Sequence, residues 1–179
     1  MAILIPCLVQ LRSDFNSIAP NRDKSSDGWI GDTAHQASIS DHNPDETGSV
    51  PIHDADSVDE VHAIDVDDNL NVSNLTMQKC INKILATPRD LSRLRYIIYN
   101  RTIWSASNNW KPEEYTGDSP HTEHAHFSAS YVSSKESDST QWSIRELAVA
   151  LDNTDLDKIT EEDLKSDFWT KLMTSCLDN

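Results

Sequence analysis

Short segments with clear hydrophobic periodicity alternate along the chain with long polar connections. Apolar residues recur at helical spacing over 7–18 and again over 74–86, and a proline follows each segment, so we predict two helices. Alternating residues predict strands over 61–67 and 121–130, and a composition rich in strand-forming residues predicts strands over 94–100 and 102–105. Asn100 and Arg101 would form a two-residue turn between two of these strands. The pattern predicts an α+β fold with a small, mainly antiparallel sheet flanked by helices.

Two regions depart from this periodic pattern. Residues 32–60 contain many Asp, Ser, His and Asn, and a connection of this length inside a compact domain is usually functional or disordered. Residues 132–140 are rich in Ser, Asp and Lys, as is typical of a linker, and helical patterns return over 142–151 and 160–177. We therefore predict a domain over 1–131, a linker over 132–140 and a short helical C-terminal extension over 141–179.

The composition limits the classes of function. The chain has 179 residues, a formal net charge of −15 and 37% hydrophobic residues. This acidity disfavours a metallonuclease or any other nucleic-acid-binding protein, because phosphate neutralisation needs clustered Lys and Arg. It also disfavours electrostatic adhesion to anionic membranes. A chain of this length buries enough surface to be stable without a partner subunit, so we expect a monomer.

The cysteines and the N-terminus bear on the compartment. Cys7, Cys80 and Cys176 are odd in number and far apart, which argues against a zinc ribbon or a disulfide framework and fits folding in a reducing cytoplasm. The apolar N-terminus lacks a basic segment, is interrupted by Pro6 and is too short to span a bilayer. We expect it to form a buried strand or helix rather than a signal peptide.

The chemistry concentrates in the segment His-Thr-Glu-His-Ala-His at 121–126, which holds three of the seven histidines. On a strand, residues i and i+2 point to the same face. His124 and His126 would therefore lie side by side, while Glu123 faces away unless the strand begins after it. One imidazole can then bind a metal ion while its neighbour handles protons.

Two upstream residues complete a candidate set of metal ligands. His42 lies in a loop made rigid by Pro44, and Asp65 lies in a predicted strand between two apolar residues. Hydrolytic zinc sites use three ligands drawn from His, Asp and Glu, so these two residues and the histidine cluster predict one zinc ion per chain. His53, in an acidic segment, and His62, on the opposite strand face from Asp65, are set aside as ligands.

The same residues carry a resemblance to a known family. Ser40-Asp-His42, followed downstream by Ala63-Ile-Asp65 and then by His126, resembles the zinc peptidases of the D-Ala-D-Ala carboxypeptidase and L-Ala-D-Glu endopeptidase family, in particular its phage endolysin branch. The likeness covers about residues 5–130. It implies that His42, Asp65 and His126 bind zinc and that the substrate is the stem peptide of bacterial peptidoglycan.

The resemblance also implies roles for neighbouring side chains. Some members of the family use a carboxylate as general base and others an imidazole; we favour His124, with Glu123 as the alternative. His121 would assist by contacting the substrate or the oxyanion, and Ser40 matches the family pattern as a substrate-binding residue. Asp41 is expected to orient an imidazole from behind.

The family often has an arginine before its Ser-x-His element, and this chain has none there. His35 or Gln36 could replace it. The missing arginine favours an L-Ala-D-Glu endopeptidase over a D-Ala-D-Ala carboxypeptidase, because a free C-terminal carboxylate prefers a guanidinium partner. A zinc-bearing wall-binding module without catalysis is a further alternative, which the intact pair of Glu123 and His124 disfavours. Proteins of the phage branch are made in the host cytoplasm without a signal peptide and act at the cell wall.

Overall fold

The computed structural model describes residues 2–32 and 36–148. One compact unit spans Met1–Arg145, and a second spans Glu146–Asn179. The helix predicted over 160–177 lies outside the described residues, as does the last part of the one predicted over 142–151. None of the helices in the described part of the chain has the length and apolarity needed to cross a membrane.

Four α-helices of the first unit lie wholly within the described residues. They are α1 (Pro6–Ile18), α2 (Met77–Leu85), α3 (Pro88–Leu91) and α4 (Ser133–Glu136). Proline begins α1 and α3, where its missing N–H has no helical partner to lose. The hydroxyl of Thr76 caps α2 by accepting a hydrogen bond from the amide of Lys79 at 3.3 Å. The two predicted long helices are thus confirmed within a few residues.

The main sheet is antiparallel and has five strands in the order β3-β7-β4-β5-β6, and β1 and β2 form a separate parallel pair. The strands are β1 (Ile3–Leu4), β2 (Glu60–Val61), β3 (Ala63–Asp67), β4 (Leu94–Tyr99), β5 (Thr102–Ser105), β6 (Pro112–Glu114) and β7 (His124–Ala129). The predicted α+β class with a small antiparallel sheet and helices is therefore confirmed.

The two faces of the central strands have different chemistry. Ile64 of β3 lies opposite Phe127 of β7, and both are fully buried. Helix α1 covers this face, with the rings of Phe15 and Phe127 5.8 Å apart. Asp65 and His126 lie opposite each other in the adjacent register position and point to the other face. The strand period thus separates the core from the polar residues.

The hairpin between β4 and β5 has the predicted turn. Asn100 and Arg101 both have positive φ, 45° and 62°, as a type I′ turn requires. Their amides donate to the carbonyls of His121 and Pro120, so the turn also holds the segment that leads into β7. The short strand β6, which the polar composition of 106–120 did not predict, pairs with β5.

Residues 132–145 belong to the first compact unit. The region predicted as a linker over 132–140 contains α4, whose Glu136 is 4% exposed. Trp142 is 1% exposed; its indole N–H donates to the carbonyl of Cys7, and the guanidinium of Arg93 lies 3.5 Å from its ring centroid. The compact unit therefore extends beyond the predicted boundary at 131, because burying the large Trp142 ring ties this segment to α1.

Candidate metal centre

The predicted ligands converge on the polar face of the sheet. The pairing of β3 with β7 places Asp65 directly opposite His126, and the loop before β2 brings in His42. Nε2 of His42 lies 3.1 Å from Nδ1 of His126 and 3.3 Å from Oδ2 of Asp65. Oδ1 of Asp65 lies 3.1 Å from the same nitrogen of His126. Side chains from three separate segments therefore form one compact triangle, in which both oxygens of Asp65 take part.

The triangle has the dimensions and chemistry of a metal site. Tetrahedral zinc with ligands at about 2.0–2.1 Å separates its donor atoms by about 3.3 Å. The observed distances of 3.1–3.3 Å fit this edge length. Two imidazoles and a carboxylate are a donor set that zinc favours. His42, Asp65 and His126 could therefore hold a metal ion.

The electrostatic surroundings act differently on the three candidate ligands. Burial alone would raise the pKa of Asp65, but hydrogen bonds with His126 and His42 hold that pKa well below its ordinary value. Burial lowers the pKa of His126, which favours the neutral ring. Burial also acts to lower the pKa of His42, yet its hydrogen bond to Asp65 raises that pKa overall. The carboxylate is thus ionised, and its charge attracts a cation.

Backbone contacts orient the ligand loop. His42 has a ring hydrogen bond to the backbone of Trp29, and its carbonyl accepts from the amide of Gly31 at 2.7 Å. Gly28 forms a β-bridge to Asp65, with the Asp65 amide donating at 2.7 Å. The loop Gly28–Gly31 therefore contacts two of the three ligands, which fixes the direction of both side chains.

Asp41 attaches the ligand loop to the sheet. Its carboxylate is 2% exposed and accepts four hydrogen bonds at 2.6–2.8 Å, from Arg95, Tyr96, Ser128 and Tyr131. None of these donors is an imidazole, so Asp41 does not orient one directly as expected. It acts through Tyr96, whose ring stacks on His126 with centroids 5.4 Å apart. Arg95 reaches Asp41 from an irregularity in the pairing of β4 with β7.

A cavity of about 410 Å³ opens over the ligand triangle. Beyond the ligands, its wall includes Ser40, Tyr96, Tyr115, Asp118, His121 and His124. Nε2 of His124 lies 3.7 Å from Oδ1 of Asp65, and its side chain is 22% exposed. His124 therefore borders both the candidate metal centre and the open cavity, which is where a proton carrier must be.

His121 is held more rigidly than a loop histidine usually is. It has a positive φ of 50°, and its Nδ1 lies 2.8 Å from the carbonyl oxygen of Ser119. A carbonyl can only accept, so Nδ1 carries the proton and Nε2 of the neutral ring is an acceptor. Its ring also contacts that of Tyr115 at 5.3 Å. Burial, followed by the charge of His126, lowers the pKa of His121 to about 4.

The other residues considered for the site lie outside the cavity wall or outside the described part of the chain. β7 begins at His124, so strand alternation does not direct Glu123; its side chain is exposed and is not part of the cavity wall. His35 lies outside the described residues. Gln36 is exposed, and its side-chain amide donates to Gly31. His53 is exposed and His62 is buried, and neither belongs to the ligand triangle.

Several contributors to the site were missed from the sequence alone, among them Tyr96, Arg95 and the wall residue Tyr115. Tyr96 could have been found, because strand alternation along β4 places it on the same face as Ile98, which lies opposite His126. No such signal in the sequence points to Arg95. Its side chain points towards Asp41 because the pairing of β4 with β7 is irregular at this position, and that irregularity depends on tertiary structure.

Comparisons of this chain with protein-family models, with curated proteins and with solved structures found no match. The chemistry of the cavity must therefore be inferred from its own residues.

Proposed function

We propose that this chain is a zinc-dependent peptidase that hydrolyses an amide bond in the stem peptide of bacterial peptidoglycan, as an L-Ala-D-Glu endopeptidase. The observation that carries the proposal is the convergence of His42, Asp65 and His126 on one point at the base of a cavity bordered by a further imidazole, His124. The likeness of Ser40-Asp-His42 and Ala63-Ile-Asp65 to the family pattern supports the substrate class.

Three residues of the cavity wall have a direct role in this proposal. When bound at the triangle, zinc polarises the scissile carbonyl and lowers the pKa of water towards about 7. His124 accepts the proton released during attack and returns it to the leaving amine. His121, whose Nε2 is an acceptor, contacts a substrate N–H, and Ser40, also in the cavity wall, helps to bind the substrate. We favour His124 over Glu123 as base because only the imidazole borders the cavity.

The charge of the cavity wall favours an endopeptidase. Among the described residues, the wall contains neither Lys nor Arg, whereas Asp118 adds a carboxylate. A carboxypeptidase must bind the free C-terminal carboxylate of its substrate, and a cationic fork is the usual partner. An internal amide bond makes no such demand.

The test is mass spectrometry of muropeptides after digestion of purified walls, with and without a chelator. We expect loss of activity with the chelator and a fall of about 10²–10⁴-fold in kcat for His124→Ala, because a general base contributes that much. The zinc content of His124→Ala should equal that of the wild type. His53→Ala, an exposed histidine outside the cavity, is the matched control and should retain full activity.

The products separate the alternatives. New N-termini at glutamate support the endopeptidase, whereas release of free D-alanine would show a carboxypeptidase. Walls that bind the protein without any cleavage would indicate a zinc-bearing binding module. Cleavage that persists in His124→Ala would refute the assignment of the base.

A further inference from the structure

A second group of metal-ligating side chains, three of them buried, lies away from the cavity. Asp54, Glu60, His62 and Glu136 each offer a ligand atom, and these atoms all lie within 4.8 Å of one another. They come from the acidic loop before β2, from β2 itself, from the residue between β2 and β3, and from α4. We call these four residues the acidic cluster.

The acidic cluster is withdrawn from water. His62 is fully buried, Glu136 is 4% exposed and Glu60 is 8% exposed. Asp45, also fully buried, lies beside the cluster with Oδ2 3.8 Å from Nδ1 of His62. Buried carboxylates are costly unless a positive charge compensates them. Among the described residues, no Lys or Arg forms an ion pair with any of these carboxylates.

Several buried atoms of this region also lack hydrogen-bond partners. Nδ1 of His62, Oδ2 of Asp45 and Oδ2 of Asp54 are all buried and have no partner among the described residues. Native proteins rarely leave such atoms unsatisfied, and an absent ion is one common reason. The orphaned imidazole nitrogen is an observation independent of the acidic charge. Together they indicate a missing cation.

We propose that the acidic cluster is a structural site for a divalent transition-metal ion of the zinc type. Imidazole selects such ions over Mg²⁺ and Ca²⁺, which prefer all-oxygen sites. Nε2 of His62 lies 3.3 Å from Oε1 of Glu136, close to the edge of about 3.3 Å expected for tetrahedral zinc. Nδ1, which has no hydrogen-bond partner, faces Oδ2 of Asp45 at 3.8 Å, so both nitrogens of the ring lie beside carboxylates.

At this position, a bound ion would hold separate segments of the chain together. A cation there joins the acidic loop, through Asp54, to α4, through Glu136, which lies 82 positions later in the chain. The ring of His62 stacks on that of Tyr131 at 3.8 Å, and Tyr131 donates to Asp41 at 2.7 Å. The second ion therefore supports the loop that carries His42 without entering the cavity.

The experiment measures zinc per full-length chain by elemental analysis after gel filtration. We expect two equivalents for the wild type, one for Glu136→Gln, one for His126→Ala and none for the double variant. Glu46→Gln removes an exposed carboxylate of the same loop and should keep two equivalents. Glu136→Gln preserves shape and removes a buried charge, so it should remain folded without metal.

Thermal unfolding of His126→Ala isolates the second site. Zinc in excess should raise its Tm by about 5–10 °C, and the rise should vanish when Glu136→Gln is added. A wild-type chain that binds one equivalent and keeps it in Glu136→Gln would overturn the proposal. So would a Tm that responds to Ca²⁺ but not to Zn²⁺, because the imidazole would then have no part in binding. Loss of zinc from His126→Ala alone would likewise exclude a second site while leaving the candidate metal centre intact.

Discussion

Replacing Asp41 by Asn tests whether one carboxylate attaches the ligand loop to the sheet. The carboxylate accepts four hydrogen bonds at 2.6–2.8 Å in a position that is 2% exposed. Asn has the same shape but only one accepting oxygen. That oxygen must face Arg95, because a guanidinium can only donate, and it can keep the bond from Tyr131 as well. The hydroxyls of Tyr96 and Ser128 then face an N–H group.

The expected loss follows from those two bonds. Hydrogen bonds to charged groups contribute about 1.5–3 kcal/mol each, so losing two at the lower value costs about 3 kcal/mol. For a chain of this size, that corresponds to a fall in Tm of about 6–12 °C. Tyr131→Phe is the matched control, because it keeps the ring and removes one donor, and it should cost about half as much.

The assay is thermal and urea unfolding followed by circular dichroism in a chelator, so that metal binding does not contribute. Burial acts to raise the pKa of Asp41, but hydrogen bonds from Ser128 and Tyr96 and the charge of Arg95 lower it overall. A carboxyl with a lowered pKa stabilises the fold above its unfolded pKa of about 3.9 and loses that effect as the pH falls through its folded pKa. The difference in free energy of unfolding between wild type and Asp41→Asn should therefore be largest at pH 7 and should become smaller below about pH 4.

A loss in Tm below about 2 °C for Asp41→Asn would refute this reasoning, because it would show that the four contacts contribute little net stability. A loss no larger than that of Tyr131→Phe would do the same. If the difference in free energy of unfolding between wild type and Asp41→Asn stayed the same at acidic pH, the charge of Asp41 would not be the stabilising feature.

Two further predictions concern the same unit. Trp142→Ala should lower the free energy of unfolding by about 3–5 kcal/mol, because it empties a buried aromatic position and removes the hydrogen bond to Cys7. Gln141→Ala, at an exposed position, is the control and should leave the urea midpoint unchanged. Equal urea midpoints for the two variants would contradict the role of Trp142. In a chelator, stability should fall as the pH rises from about 4.3 through 7, because burial and neighbouring carboxylates raise the pKa of Glu60 and of Glu136 to about 7. A flat profile over this interval would exclude that coupling.

The sequence by itself determined the two long helices, the central strands and much of the candidate site. Period-2 alternation assigned Asp65 to one face of its strand and Ile64 to the other, and the structure confirms this division. The spacing of His124 and His126 likewise predicted that they share a face. These predictions hold because strand periodicity is local: once the hydrophobic residues face the core, the direction of every neighbour is fixed.

Only the tertiary structure decided which distant residues meet. Asp41 gathers donors from β4, β7 and the segment after it, and nothing in its own neighbourhood predicts them. The region 132–140 has the composition of a linker, yet burial of Trp142 and Glu136 draws it into the compact unit. Glu136 then completes a buried cluster with residues about 80 positions earlier. Contacts of this kind depend on how elements pack, and packing is set by the whole chain rather than by any local pattern.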